Sequence, residues 1–224
     1  MVATPRRPAP ADEAELMLRA SALAGRTVAE LAQALRIAVP SDPRRSKGFV
    51  GQLVELALGA DPEAGERPDF LTLGIELKTL PLGARGKPSE STFCCSIALE
   101  TAADARFESS RLRARIDRVL FVPVDGAKSG PIGDRRFHSP VLWSPDPEEE
   151  RVLRDDWNEL MGRIGAGLPL SAHLGEALQV RPKAANARVR VMAVGEAKAP
   201  VAFYLRARFT AAILARHSGE LNGS

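Results

Sequence analysis

The 224 residues are 45% hydrophobic and 26% charged, the composition of a folded globular chain, which excludes wholesale disorder, collagen-like repeats and long coiled coils. The apolar runs are too short for a transmembrane helix, and the N-terminus lacks the apolar region of a secretory signal. The formal net charge of +3 permits a nucleic-acid partner without requiring one, so the positions of the basic residues have to decide.

The first half of the chain shows helical periodicity in three places. Two helices are predicted within residues 12–35, with Thr27 as the cap of the second. The clearest helix covers residues 50–58, where apolar residues recur at helical spacing, and Gly59 ends it. Residues 1–10 hold three prolines and two arginines, and we expect them to form a mobile arm.

Strand patterns begin after residue 68 and then alternate with helices. The predicted strands are residues 70–73, 75–79, 92–99, 118–124, 177–180 and 201–205. A strong helix is predicted to start at Asp146-Pro147, and a last helix lies near residues 210–216. This mixture predicts an α/β or α+β fold and leaves the strand order open.

The cysteines and histidines point away from disulfide and zinc chemistry. Cys94 and Cys95 are adjacent and cannot easily bridge each other, so we expect reduced thiols and a cytoplasmic protein. The three histidines have no cysteines at zinc-ligand spacing. The sequence also has no glycine-rich phosphate loop, so ATP hydrolysis is not expected.

The sharpest chemical signal runs from Asp69 to Lys78. Side chains alternate along a strand, so Glu76 and Lys78 are expected on one face, with apolar neighbours on the other. Asp69 reaches the same face if the chain bends at Gly74. Two carboxylates are hard oxygen ligands that suit Mg²⁺, and the carbonyl of Leu77 is a candidate third ligand.

This set of residue types is typical of phosphodiester cleavage. Mg²⁺ neutralises the charge that builds on the scissile phosphate and lowers the pKa of the attacking water. A lysine beside the carboxylates orients that water or stabilises the transition state. Glu55 is expected at the border of an apolar helix stripe, where an unpaired carboxylate is costly. Glu55, Asp69, Glu76 and Lys78 are therefore the predicted catalytic group.

A structural interpretation of these residues is also open. The acidic pair followed by lysine is a short and loose motif, and alternating Glu and Lys is common on solvated strands. The acidic residues would then be structural, in a DNA-binding module that does not cut. Tyr204, the one tyrosine of the chain, likewise has core packing as its default role.

Two basic features are candidates for DNA recognition. Residues 181–186 form a turn bearing Arg, Lys and Asn, the types that pair with guanine and adenine edges, although an ordinary basic loop is the alternative. If residues 109–117 are helical, Arg111, Arg115 and Arg118 share one face. That face is suited to tracking phosphates, or it is simply solvated.

Seven separated blocks of the chain carry a resemblance to a known family. They include KGFVGQLVE at residues 47–55 and RPKAANA at residues 181–187. The full set is residues 47–55, 69–81, 118–124, 139–145, 155–157, 181–187 and 203–205. In this order they resemble the MutH family, the strand-nicking endonucleases of bacterial methyl-directed mismatch repair, from about residue 12 to about residue 217.

The resemblance implies a restriction-endonuclease-like fold, with a central mixed sheet flanked by helices and two arms that form a DNA cleft. It implies one endonuclease domain over residues 1–224, with a catalytic lobe at 12–105 and a recognition lobe at 106–217. Residues 1–10 and 218–224 are then expected to be mobile tails.

The activity implied by the resemblance is Mg²⁺-dependent nicking of the unmethylated strand, 5′ to the G of hemimethylated GATC. Asp69 and Glu76 would be metal ligands together with the carbonyl of Leu77. Lys78 would assist the water, and Glu55 would complete the catalytic group.

The resemblance also assigns DNA-binding residues and partners. Arg181, Pro182 and Lys183 match the base-reading turn of the family, and Tyr204 matches the residue that senses adenine methylation. Arg115 stands where the family carries a lysine important for the DNA-bound state, which keeps the charge and alters the geometry. The implied partners are GATC-containing duplex DNA, MutL as activator and MutS indirectly, with a monomeric protein and no membrane.

Two further enzymes remain as alternatives. A restriction endonuclease of the same fold would cut both GATC strands as a dimer or pseudo-dimer, and the absence of a second centre in which an aspartate precedes Glu-x-Lys at the spacing of Asp69 to Lys78 argues against the pseudo-dimer. A resolvase would prefer branched DNA over a linear GATC duplex.

Overall fold

The computed structural model describes residues 7–42, 48–97, 105–126, 130–171, 173–182, 191–192 and 201–221. Helices and strands are mixed along the chain, which confirms the predicted α/β class. The helices are α1 (Glu13–Ser21), α2 (Val28–Ala34), α3 (Phe49–Leu58), α4 (Arg111–Ile116), α5 (Pro147–Gly165) and α6 (Ala207–Leu221). The strands are β1 (Glu76–Leu82), β2 (Thr92–Ser96), β3 (Val119–Asp125), β4 (Val141–Trp143), β5 (Leu170–Ser171), β6 (Leu178–Pro182), β7 (Val191–Met192) and β8 (Val201–Leu205). Within these ranges, none of the helices combines the length and the apolar character needed to cross a membrane.

The chain divides into two compact units. Unit 1 contains Met1–Ser89 and Arg118–Trp143, and unit 2 contains Glu90–Asp117 and Ser144–Ser224. Each unit therefore takes two stretches of chain, whereas the predicted lobes were continuous. The physical reason is the parallel pairing of β1 with β3, because parallel strands need a long crossover connection. The DNA cleft and the tasks of the two lobes stay predictions.

Unit 1 is built on a three-stranded mixed sheet in the order β1-β3-β4. β1 and β3 are parallel, with Glu76 opposite Val119, and β4 is antiparallel to β3. Apolar side chains of α1, α2 and α3 join those of β1 and β3 in one core, in which Leu16, Ile75 and Leu120 are fully buried. Burial of each such side chain stabilises the fold by about 1.5–3 kcal/mol. The sheet thereby fixes the start of β1, where the acidic residues lie.

Residues 7–10 of the predicted mobile arm are held against unit 1. The buried guanidinium of Arg19 donates to the carbonyl oxygens of Pro8 (2.7 Å) and Leu58 (2.8 Å). Pro10 is buried. Residues 1–6 lie outside the described part of the chain, so a mobile arm stays a prediction for them alone.

Unit 2 contains an antiparallel sheet in the order β2-β8-β6 and the short pair β5-β7. The register places Tyr204 opposite both Phe93 and Gln179. One face carries Leu178, Val180 and other buried apolar residues, and α5 packs against β6. The opposite face carries the more exposed Phe93, Gln179, Arg181 and Tyr204.

Several predicted boundaries need correction. The strand predicted at residues 70–73 is wrong, since Leu71–Gly74 is a turn and only Phe70 forms a bridge, to Ile75. Gly74 has φ 66°, which lets the chain reverse there. β4 was not predicted, because three residues are too few for a strand pattern. In the predicted tail, α6 continues to Leu221.

The capping signals of the sequence are confirmed. Thr27 and Asp146 both form capping boxes, with Glu30 and Glu149 at the third helical position. Each such cap stabilises its helix by about 1 kcal/mol. Local sequence therefore positions the start of α2 and of α5 before any tertiary contact is considered.

Candidate active site

Asp69 lies at the entrance to the Phe70–Ile75 turn in unit 1. Its backbone carbonyl accepts a hydrogen bond from the N–H of Asp61 (2.8 Å), and its Oδ2 accepts one from the N–H of Leu77 (2.7 Å). The second bond crosses the turn, so the side chain of Asp69 is tied to the first residues of β1. The predicted bend at Gly74 thus brings Asp69 to the strand, through a tight turn rather than a second strand.

Glu76 and Lys78 form an ion pair on β1. The distance from Lys78 Nζ to Glu76 Oε1 is 2.5 Å, with 2% of the Glu76 side chain and 22% of the Lys78 side chain exposed. Ile75 and Leu77 belong to the core of unit 1. The predicted alternation of faces is therefore present, and it places a carboxylate and an ammonium group side by side.

The backbone of Leu77 faces the side of β1 on which Asp69 lies. The N–H of Glu76 binds the carbonyl of Arg118, toward β3, whereas the N–H of Leu77 binds Asp69. In a strand, the N–H and the carbonyl of one residue point to the same side. The carbonyl of Leu77 therefore points away from β3, to the edge where the carboxylate of Asp69 is held.

The electrostatic environment of Asp69 is unfavourable to its charge. Burial, followed by the negative charge of Glu76, raises the pKa of Asp69 from its usual 3.8 to about 6. The N–H of Leu77 and the charge of Lys78 act in the opposite direction, and Glu55 adds a smaller upward contribution. Asp69 and Glu76 repel each other where water is largely excluded. A cation bound between their carboxylates would lower the free energy of the folded protein.

Glu55 lies on the exposed side of α3, which corrects one step of the sequence argument. Its side chain is not at a costly apolar border, because the apolar residues of α3 that face the core are Leu53, Val54, Ala57 and Leu58. Glu55 is nevertheless near enough to raise the pKa of Asp69. Its predicted place in the catalytic group therefore rests on proximity and not on burial.

The donor set at β1 fits a divalent cation. Among the described residues there is no cluster of three or more His, Cys, Asp or Glu side chains placed to hold a metal. The predicted ligand set differs from such a cluster, because it consists of two side-chain carboxylates, those of Asp69 and Glu76, and one backbone carbonyl, that of Leu77. Such all-oxygen ligands suit Mg²⁺, which keeps several waters and takes few protein ligands. The burial of Asp69 and the negative charge of Glu76, which together raise the pKa of Asp69, support this fit.

Arg181 and Tyr204 of the predicted recognition set meet in unit 2. The guanidinium of Arg181 lies 5.6 Å from the centre of the Tyr204 ring, and its Nη1 donates to Ser91 Oγ (2.9 Å). Phe93 contacts the Tyr204 ring edge-on at 5.6 Å. Tyr204 therefore lies on the polar face of the sheet, and its default assignment to the core was wrong.

Two other predicted recognition residues cannot be placed with Arg181. For Pro182 only the backbone at the end of β6 is described, and Lys183 lies outside the described residues. The sequence argument also missed Ser91 and Phe93 as neighbours of Arg181 and Tyr204. No local pattern could have indicated them, because the contact depends on the pairing of β2 with β8.

The predicted basic face splits between the two units. Arg111 and Arg115 lie on α4, which begins at the Ser110 cap and ends at Ile116. Arg118 lies after the helix, in unit 1, and its guanidinium pairs with Glu13 at 2.6 Å. Arg118 therefore does not share the α4 face, and Arg111 and Arg115 stay candidate DNA-binding residues there.

The fold and the site together define a class of protein. A mixed α/β core that presents Asp69, Glu76 and Lys78 at the start of a strand is restriction-endonuclease-like. The family model described as "DNA mismatch repair enzyme MutH" matches residues 58–156.

Complete relatives extend the match to nearly the whole chain. The "DNA mismatch repair protein MutH" of Serratia proteamaculans (strain 568) is 47% identical over 223 residues, which cover 96% of this chain and 97% of that protein. The protein of the same name from Yersinia pestis (strain Pestoides F) is 46% identical over 215 residues, with 93% and 94% covered. The chain belongs to the MutH family, which confirms the resemblance seen in the sequence.

Proposed function

We propose that this protein is a mismatch repair endonuclease that nicks the unmethylated strand of hemimethylated GATC, on the 5′ side of G. The observation that carries the proposal is the joint placement of Asp69, Glu76 and Lys78 at the start of β1 in unit 1, where Asp69 is bound to the N–H of Leu77. Membership of the MutH family supports mismatch repair as the pathway, and the resemblance of the recognition residues supports GATC as the substrate. Nicking, rather than cutting of both strands, fits one such centre in a monomeric chain.

The residues of the site have distinct tasks in phosphodiester hydrolysis. Asp69, Glu76 and the carbonyl of Leu77 would hold Mg²⁺, which when bound lowers the pKa of a water and offsets the charge of the phosphate. Lys78 holds its ammonium group beside Glu76, where it can orient the attacking water and stabilise negative charge on the phosphate. Glu55 contributes a further negative charge near Asp69.

Strand choice is assigned to the polar face of unit 2. Arg181, with Pro182 and Lys183 after it, would read the base edges of GATC in the major groove. Tyr204 lies under the guanidinium of Arg181, so a methyl group on adenine N6 that displaces Tyr204 would also disturb Arg181. Arg115 of α4 would contact the DNA backbone.

Activation by partners is also part of the proposal. We expect the protein alone to nick weakly, and to be stimulated by MutL with ATP, with MutS acting through MutL. The alternatives are less well supported. A non-cutting module leaves the charge arrangement around Asp69 without a purpose, and neither a resolvase nor a double-strand restriction enzyme is the activity of the matched family.

A nicking assay tests the proposed function. The substrate is a linear duplex with one hemimethylated GATC, labelled on each strand in turn, with Mg²⁺ and with or without MutL and ATP. We expect cleavage of the unmethylated strand alone, none on the fully methylated duplex, and none when GATC is permuted. Asp69→Ala should be inactive, whereas the matched control Asp155→Ala, at an exposed position of α5, should nick normally.

The outcomes separate the alternatives. Cleavage of both strands in one binding event would favour the restriction enzyme, and a preference for four-way junctions would favour the resolvase. Binding without any scission, with MutL, ATP and Mg²⁺ all present, would contradict an endonuclease.

A further inference from the structure

The turn that leads into β6 is held by one buried carboxylate. Asp156 of α5 has only 7% of its surface exposed. Its Oδ2 accepts hydrogen bonds from the N–H groups of Glu176 (2.9 Å), Ala177 (2.6 Å) and Leu178 (2.7 Å), and its Oδ1 accepts a further bond from Glu176 (2.8 Å). Bonds between backbone N–H groups and a carboxylate are about twice as strong as neutral ones.

The carbonyl groups of the same turn are held from the opposite side. Arg206 donates through its Nε to Leu178 (3.0 Å), through its Nη2 to Leu174 and through its backbone N–H to Ala177 (2.8 Å). Arg208 donates to Glu176 (3.0 Å) and Gly175 (3.1 Å). All five carbonyl groups from residue 174 to residue 178 therefore have donors at the start of α6. We call residues 174–178 with Asp156, Arg206 and Arg208 the 174–178 clamp.

The strand that follows the clamp has limited support of its own. β6 pairs with β8 on one side, and within the described residues it is an edge strand. A slip of one residue in its pairing would move every side chain of β6 to the other face. Arg181 would then exchange places with the buried Val180 and lose Tyr204 and Ser91 as neighbours.

We propose that Asp156 is a positioning residue for DNA recognition, which sets the register of β6 and so the face on which Arg181 is presented. The carboxylate of Asp156 binds the N–H of Leu178, the first residue of β6, which lies three positions before Arg181 in the same strand. The inference rests on the proposed function, in which Arg181 reads GATC. It gives a task to the Asp155-Asp156-Trp157 block of the sequence, which the catalytic chemistry does not use.

Two substitutions weaken the clamp from different sides. Asp156→Asn removes the charge and puts an amide group against an N–H group of Glu176. Gly175→Ala leaves Asp156 intact, but its methyl group would overlap the carbonyl oxygen of Leu178 and lie 3.2 Å from the Asp156 carboxylate. The matched controls are Asp155→Asn, exposed on the same helix, and Gly167→Ala, which has φ +65° against +79° for Gly175 but open space around the added methyl group.

The measurement is the selectivity ratio, the Kd for a duplex without GATC divided by the Kd for the GATC duplex. We expect both clamp variants to lower this ratio about tenfold or more, the loss of one good base contact, through weaker GATC binding. Affinity for the duplex without GATC should stay within about twofold, since phosphate contacts supply it. Both controls should keep the wild-type ratio. Hydrogen exchange at amides 176–178 reports in parallel whether the clamp has opened.

A merely structural role for Asp156 predicts a different result. Faster exchange at amides 176–178 with an unchanged selectivity ratio in both clamp variants would overturn the proposal. An equal loss of affinity for both duplexes would do so as well. Wild-type protein that does not nick the GATC duplex with MutL, ATP and Mg²⁺ present would instead contradict the proposed function, and the nicking assay shows that result without any variant.

Discussion

Asp69 in unit 1 and Asp156 in unit 2 are both removed from solvent, but their surroundings differ. The carboxylate of Asp69 accepts one backbone N–H and faces the negative charge of Glu76, which together with burial raises its pKa to about 6. The carboxylate of Asp156 accepts bonds from three successive N–H groups, Glu176 to Leu178.

The difference shows how one residue type is fitted to two tasks. Backbone donors compensate a buried carboxylate and tie it to one conformation, so Asp156 stabilises the fold. A carboxylate left with few donors beside a second carboxylate is costly to the fold, and it keeps oxygen atoms available for a cation. The site at Asp69 in unit 1 thus destabilises the folded protein and serves catalysis, whereas the 174–178 clamp in unit 2 stabilises the folded protein.

The largest effect is expected at Asp69 and Glu76, the two carboxylates of unit 1 that are assigned to catalysis. Glu76→Gln keeps the shape of the side chain and removes its charge, so nicking of the GATC duplex should fall by about 10²–10³-fold or more. The free energy of unfolding should change by much less than the activation free energy of nicking. The measurement is single-turnover nicking with Mg²⁺, with Glu63→Gln, an exposed position of unit 1, as control. Retention of more than a tenth of the activity would separate Glu76 from catalysis.

The second effect concerns stability in unit 2. Asp156→Ala leaves three N–H groups of the turn without their acceptor, and we expect the free energy of unfolding to fall by about 3–4 kcal/mol. Urea denaturation measures it. Asp155→Ala, which loses only an exposed pair with Arg151, should cost about 0.5 kcal/mol or less. Equal losses in the two variants would remove the distinction drawn between buried and exposed aspartates of α5.

The third effect is the pH dependence of stability at Asp69. Its folded pKa of about 6 exceeds the usual 3.8, so the folded state holds the proton more tightly, and the contribution of Asp69 to stability falls as pH rises from about 4 to 6. Above that window the cost is complete, about 2–3 kcal/mol. Asp69→Asn should therefore match wild type near pH 4 and exceed it by that amount at pH 7.5.

Urea denaturation in EDTA across this range checks the third prediction, because it removes divalent cations from both proteins. Groups remote from Asp69 cancel in the difference between the two proteins. A difference between them that does not vary with pH would contradict the assigned environment of Asp69.

Much of the candidate site could be predicted because its signals are local. The alternation of β1 places Glu76 and Lys78 together whatever the rest of the fold does, and the bend at Gly74 requires only the residues beside it. The helix caps at Thr27 and Asp146 are local in the same sense. The family could also be recognised from the sequence, because the resemblance depends only on the order of the residues.

Several predictions that required contacts between distant residues failed. Glu55 was expected at a buried border and is exposed, because the packing of α3 against the rest of unit 1 decides which side of its apolar stripe meets solvent. Arg118 was grouped with Arg111 and Arg115, but α4 ends before it and Arg118 pairs with Glu13. Core packing was the alternative role for Tyr204, and the pairing of β8 with β2 and β6 places it instead on the face that carries Arg181.

The sequence by itself determined the fold class, the family and the residues at the start of β1, because period, capping and motif are properties of neighbouring residues. Only the tertiary structure decided the raised pKa of Asp69 and the partners of Asp156, since both depend on burial and on groups far apart in the chain. Asp156 lies about twenty residues before the turn that it binds. A contact across that distance leaves no period in the sequence, and chain folding alone creates it.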